Sequence, residues 1–322
     1  MAILQHSGEP EPVVGAGSDF APSGEQFEIS YGSQRAVVVE VGGGVRSYQV
    51  GRRDVLDPYP RDQMCDGAHG TPLVPWPNRL ADGKYTFDGV DYQVAITEPS
   101  KSNAIHGFLR WQNWSVVERS ESRVVVGHLL HPLQGYPFCL DVRVAYSLDD
   151  DGLRVTTTAT NAGVTAAPWA CGAHPYLSPG DGLVDVATLE FTAGVRIDTD
   201  SQQRQLPIGE VPVAGTPYDF SSGRPIGDLK IDYAFKDVAR DGDGRAWVRL
   251  TGADGRRAEL WCDDTFALVE IYTGDTLAPH RRRRGLGVEP MTAPPNAFAT
   301  GENVLRLEPG QTTTHTWGAR LV

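Results

Sequence analysis

The stretch "LDVRVAYSLDDDGLRVTTTATN" (residues 140–161) decides the fold. Apolar side chains fall on every second position, at Leu140, Val142, Val144, Tyr146 and Leu148, and after Asp151-Gly152 the alternation resumes at Leu153 and Val155. A period of two is what a strand with one buried face requires. An Asp-Gly pair between two such runs is a hairpin signal, because both residues tolerate the positive φ of a tight turn.

The same unit recurs along the chain. "KYTFDGVDYQV" (84–94) reads as two strands around Asp88-Gly89, and "AWVRLTGADGRRAELWC" (246–262) as two strands around Asp254-Gly255. "WSVVERSESRVVVGHLL" (114–130) is a further strand–turn–strand, and "RAVVVEV" (35–41), "FALVEIYTG" (266–274) and "THTWGARLV" (314–322) read as single strands. No window keeps a 3.6-residue apolar period for three turns, and 36 glycines and 23 prolines interrupt the candidates. The expectation is an all-β protein with few short helices: one large antiparallel β-sandwich over residues 25–322, preceded by a flexible Gly/Pro/Ser-rich and acidic arm over residues 1–24. A β-propeller would carry a blade repeat of about 40 to 50 residues, and no such motif is present.

The formal net charge of −12 argues against nucleic-acid binding, which needs a basic footprint, and gives no attraction to anionic membranes. No apolar run reaches the roughly 18 residues a membrane helix needs. The four cysteines, Cys65, Cys139, Cys171 and Cys262, have no metal or redox spacing and read as small hydrophobes in a reducing compartment. The first residues lack a basic segment followed by an apolar one, so no secretory signal is read there and a soluble cytoplasmic protein is expected, monomeric or homodimeric.

Chemistry is expected on the irregular segments that a rigid sheet would hold. These are "PLVPWPNRLADG" (72–83), "NAIHGFLR" (103–110), "CGAHPYLSPG" (171–180), "KIDYAF" (230–235) and "GVEPMTAPPNAF" (287–298). They carry Asn78, Arg79, His106, His174, Asp232 and Glu289. Singly, each has an ordinary reading as a structural or solvated residue. Together they cover proton donation, proton removal and hydroxyl binding. Trp76, Phe108, Trp111, Trp169, Tyr176 and Tyr272 lie in or beside the same segments and could stack on sugar faces, although core packing is the ordinary role of such rings. There is no GxSxG, no phosphate loop and no HExxH, so acid–base chemistry without a cofactor is favoured over covalent or phosphoryl transfer.

Taken together, "PWPNRLADGKYTFDG", "NAIHGFLR", "AHPYL", "DYAF", "EIYTG" and "EPMTAPPNAF", in this order, resemble the aldose 1-epimerase (galactose mutarotase-like) family. Their wording is most similar to a bacterial branch that includes a mutarotase for sulfoquinovose, a sulfonated glucose. The resemblance implies a β-sandwich with a sugar cleft across one sheet. It implies Glu289 as the general base on the anomeric hydroxyl, His174 as the acid on the ring oxygen, His106 as support for that oxygen, and Arg79 and Asp232 as sugar-binding residues. Asn78, Phe108, Trp169, Tyr176 and Tyr272 are the further substrate-contact candidates. Phe108 stands where the galactose mutarotases often have a second glycine, and Pro290-Met291 follow the glutamate, which leaves the sugar's identity open.

Two further readings bear on function. The run Arg281, Arg282, Arg283, Arg284 is either a solvated loop or an anion site for a sulfonated or phosphorylated sugar. Besides an epimerase, the chain could be a non-catalytic sugar binder, or hold zinc on His106, His174 and Glu289, although no close-spaced ligand pair supports the metal.

Overall fold

The computed structural model describes residues 21–200 and 203–322. Most of the expected N-terminal arm lies outside them. Residues 21–24 are described, and Ala21 and Ser23 are buried, with Ser23 O accepting Val41 N–H at 2.9 Å.

The quoted stretch forms the strands Leu140–Asp149 and Gly152–Asn161, ten residues each, joined through Asp150 and Asp151. Val142, Val144, Tyr146 and Leu148 face inward. Gly152 stands at φ 105°, and a Cβ there would come within 2.4 Å of Ala319 O, so the turn needs glycine. The Asp88-Gly89 and Asp254-Gly255 hairpins form where the sequence places them.

Two antiparallel sheets carry the fold. The nine-stranded sheet runs Ser115–Arg119, Arg123–Leu130, Leu140–Asp149, Gly152–Asn161, Thr312–Leu321, Arg257–Cys262, Ala246–Thr251, Thr188–Glu190 and Arg224–Pro225. The twelve-stranded sheet follows the path Gln26–Tyr31, Gln34–Val39, Val45–Val50, Arg53–Leu56, Tyr176–Leu177, Leu286–Met291, Leu268–Tyr272, Asp232–Val238, Ala193–Thr199 and Pro207–Pro212, with Gly172–Ala173 and Pro72–Leu73 attached beside it. One continuous apolar core joins them, drawing Val142 and Trp317 from the first sheet and Val269, Ile271 and Val288 from the second. Helix among the described residues is limited to Ala297–Thr300 and three single 3-10 turns, and no helix is long and apolar enough to cross a membrane.

Most strands alternate buried and open positions, but Leu268–Tyr272 and Leu286–Met291 are buried at every residue. Their core-facing side chains meet the other sheet. Their opposite face is covered by the irregular segments, and that face carries the carboxylates described next.

Candidate active site

Strand register assembles the acidic half of the site. Glu270 pairs directly with Glu289, Tyr272 pairs with Gly287, and on its other side Tyr272 pairs with Asp232. Because side chains alternate across a sheet, Asp232, Glu270, Tyr272 and Glu289 project from one face of three adjacent strands.

The first histidine enters on a separate ladder. Arg79–Ala81 pairs with Asn103–Ile105, and the chain then turns through His106 at φ 61° and Gly107 at φ 65°. A Cβ on Gly107 would lie 1.9 Å from Val74 O, so the residue after His106 must be glycine. His106 N–H donates to Asn78 O at 3.0 Å, and Asn78 N–H donates back to His106 Nδ1 at 3.1 Å. A neutral imidazole that accepts at Nδ1 carries its proton on Nε2, so the ring presents a donor on its far side.

The second histidine is placed by the twelve-stranded sheet. His174 N–H donates to Thr71 O, and the next carbonyl, Pro175 O, accepts Val288 N–H, one residue from Glu289. His174 Nε2 then lies 3.1 Å from Glu289 Oε1. The His106 and His174 rings meet edge to face at 5.4 Å. Behind His174 the Tyr176 ring stacks at 5.0 Å, and His69 stacks on Tyr176 at 3.7 Å and 4°. His69 is anchored by Asp57 at 3.1 Å, and Arg281 holds Asp57 at 3.0 Å.

The candidate residues divide accordingly. His106, His174 and Glu289 come together, with Asn78 beside them donating its amide to Glu270 at 2.6 Å. Arg79 is near but committed to both oxygens of Glu98, at 2.9 and 3.1 Å. Asp232 accepts the side-chain amide of Gln205. Tyr272 is 8% exposed and its hydroxyl pairs with Thr276 at 2.7 Å. Phe108 is half-buried against Trp76 and Tyr136. Two expectations are corrected. Trp169 is fully buried in the core with its indole N–H directed at His315 Nε2, so it has no surface for a sugar. Tyr176 is 1% exposed with its hydroxyl donated to Gly67 O, so it backs His174 instead of facing a ligand.

The four-arginine run is neither a plain solvated loop nor four free cations. Arg281 is buried on Asp57 and Pro58 O, and Arg283 is buried on Asp185 and Asp275. Arg282 and Arg284 are the exposed members.

Glu270, Glu98, Gln205 and His69 were not among the candidates. Only Glu270 leaves a local trace, as a lone carboxylate inside the apolar run "ALVEIY".

Burial sets the electrostatics. It drives the His174 pKa down to about 3, with His69 adding to the effect. Burial also holds His106 well below its usual range, with His174 as the second cause. Glu289 is pushed well above the usual carboxylate range by burial, then by Glu270 and Asp232, with Arg79 opposing. The His174–Glu289 contact is thus a hydrogen bond between neutral partners, with one transferable proton between them. Two buried atoms of the pair, His174 Nδ1 and Glu289 Oε2, have no protein partner, which is what a site shaped for a polar ligand leaves open.

His106, His174 and Glu289 offer ligand atoms within 4.8 Å of one another, close enough to hold a metal. The His106 tautomer works against it. A metal on Nε2 would move the proton to Nδ1, where it would face the Asn78 N–H.

Residues 25–319 match the family model described as aldose 1-epimerase. Among curated proteins, the chain is 34% identical over 291 residues to an uncharacterized protein of Escherichia coli K12 called YihR, covering 90% of this chain and 91% of that one. It is 27% identical to the galactose mutarotase of Sus scrofa, covering 74% of each. Among solved structures, a GalM/aldose epimerase homologue from C. elegans superposes with a TM-score of 0.81 at 17% identity, covering 92% of this chain and 98% of that one. A structure described as a putative aldose 1-epimerase from Escherichia coli K12 gives 0.79 at 20% identity, covering 92% and 99%.

Proposed function

The chain belongs to the aldose 1-epimerase family, and from that premise we propose that it interconverts the α and β anomers of a hexose by general acid–base ring opening. The observation that carries this reading is the 3.1 Å contact between His174 Nε2 and Glu289 Oε1, a buried imidazole beside a buried carboxyl.

The reactive form of the pair has its proton on His174. Glu289 takes the proton of the anomeric hydroxyl, O1 forms a carbonyl with C1, the C1–O5 bond breaks, and O5 receives the proton from His174. Rotation about C1–C2 exposes the other carbonyl face, and the same steps in reverse close the ring. The Nε2–H of His106 supports O5 as charge develops on it. Arg79, Asn78 and Asp232 bind the remaining hydroxyls. No electrons change hands, so the reaction balances without a cofactor.

Anomer exchange of freshly dissolved α-sugars, followed by polarimetry or NMR, tests the reading. Glu289→Gln should lower the enzymatic rate by about 10² to 10⁴, the usual worth of one positioned proton transfer, while remaining folded. An unchanged rate would remove Glu289 from its role, and tight sugar binding without any exchange would support a non-catalytic binder.

For the substrate we place a neutral hexose ahead of a sulfonated or phosphorylated one, because Arg281 and Arg283 are already paired with protein carboxylates. A panel of neutral and anionic aldoses in the same assay decides this. Faster exchange of the anionic sugars would reverse the order.

A further inference from the structure

Glu270 has no part in the mechanism above, yet it stands directly across from the proposed base in strand register and is 4% exposed. One carboxyl oxygen accepts the Asn78 amide at 2.6 Å. On its other side the strand Asp232–Val238 puts Asp232 opposite Tyr272, on the same face of the sheet and diagonal to Glu270. Asp232 in turn accepts the Gln205 amide.

The charged and titratable groups around Glu270 are few. Asp232 faces it from the strand Asp232–Val238 and Glu289 from the strand Leu286–Met291. Arg79 acts on it from the ladder at residues 79–81, but Glu98 already takes the Nε/Nη2 edge of that guanidinium. His106 and His174 complete the site and are neutral near pH 7. When Glu289 ionises to act as the base, three carboxyls would share one half-committed cation, and like charges so placed cannot all remain ionised. Glu270 is the best-equipped of the three to hold a proton, since it has a donor, Asn78, for one oxygen and an acceptor, Asp232, for an O–H on the other.

We propose that Glu270 is a positioning residue held as a neutral carboxylic acid. Its O–H donates to Asp232 and keeps that carboxyl group aimed at sugar hydroxyls. Its neutrality also leaves Glu289 free to ionise as the base. Burial and Asp232 both push its proton affinity in the required direction. The inference rests on the acid–base reading of the site, and it adds a residue whose charge, not its contact with sugar, matters.

The experiment uses the full chain and two readouts. The carboxylic-acid C=O stretch in the infrared at neutral pH should lose intensity in Glu270→Gln, an isosteric neutral replacement. The same variant should keep kcat/KM for anomer exchange within about threefold, while Glu270→Leu, which can neither accept from Asn78 nor donate to Asp232, should lose about tenfold or more. An infrared spectrum unchanged by Glu270→Gln overturns the proposal, and so does a tenfold or greater loss of rate in that variant with an unchanged melting temperature. The infrared arm needs no turnover. A band that depends on Glu270 in a protein with no exchange activity would uphold the charge assignment and sink the mutarotase reading. Exchange activity with no Glu270-dependent band would sink the charge assignment alone.

Discussion

His174 and Glu289 have to be counted as one titrating unit. Burial lowers the imidazole to about 3 and raises the carboxyl well above 4.5, so over a wide interval the pair holds one proton. The singly protonated pair is the working form, because ring opening needs one group to give a proton and the other to take one. Below about pH 3 the pair gains a second proton and loses its base. Above the raised Glu289 value it loses its only proton and with it the acid. Activity should therefore stay level through the ordinary carboxylate range and fall as pH rises through a limb above that range. A kcat/KM profile from NMR anomer exchange, corrected for spontaneous mutarotation, checks this. An acid limb near 4.5, the usual glutamate value, would show that the two groups titrate separately. At this scale the sequence was legible where a residue sits in an irregular, motif-bearing segment, as His106, His174 and Glu289 do. Glu270 left only a trace, as a carboxylate inside an apolar strand, and it acquires meaning when the register puts it opposite Glu289. Trp169 and Tyr176 misled for the opposite reason: proximity in sequence to His174 says nothing about which way a ring points.

The short turn at His106-Gly107 shows how an element fixes chemistry. Both residues adopt positive φ, which inverts the chain so that Phe108 N–H can reach Val74 O at 2.9 Å while His106 Nδ1 reaches Asn78 N–H. Gly107→Ala would drive a methyl group into Val74 O and add the strain of positive φ. It should cost about 1 to 3 kcal/mol of stability and lower kcat more than KM, since the displaced imidazole supports the ring oxygen in the transition state. Urea melts and anomer-exchange kinetics on the variant measure both parts, and a fully active, equally stable variant would refute the role given to the turn. Hairpins such as those at Asp88-Gly89 and Asp254-Gly255 were readable beforehand because turn chemistry is local. The Arg281–Arg284 segment was not, because which guanidinium meets Asp57 or Asp185 depends on partners about a hundred residues or more away along the chain.

For the whole molecule, buried histidines link stability to pH. His315 lies in the core beneath Trp169 with its pKa held down to about 4 by burial, against an unfolded value near 6.5. Between those values the unfolded chain binds the extra proton, so stability falls as pH drops from about 6.5 to 4. The loss from this one residue is on the order of 3 kcal/mol. Glu270 and Glu289, with raised values, act in the opposite sense above 4.5. Comparing urea midpoints of the wild type and His315→Gln from pH 7 to 4 isolates the histidine, and equal slopes would show that His315 is not kept neutral. The all-β class was legible from period-two patterning, as in residues 140–161. The strand order was not, because the pairings that build the sheets, such as Gly152–Asn161 with Thr312–Leu321, join segments about 160 residues apart, and no local pattern encodes them.

That last pairing has a consequence for how the molecule comes into being. Thr312–Leu321 lies in the middle of the nine-stranded sheet, between Gly152–Asn161 and Arg257–Cys262. Until this strand is in place, Gly152–Asn161 and Arg257–Cys262 each present an open edge. Those edges are the surfaces most exposed to aggregation and to chaperone capture. The strand Thr312–Leu321 is thus the keystone of the sheet, since it alone closes both of those edges.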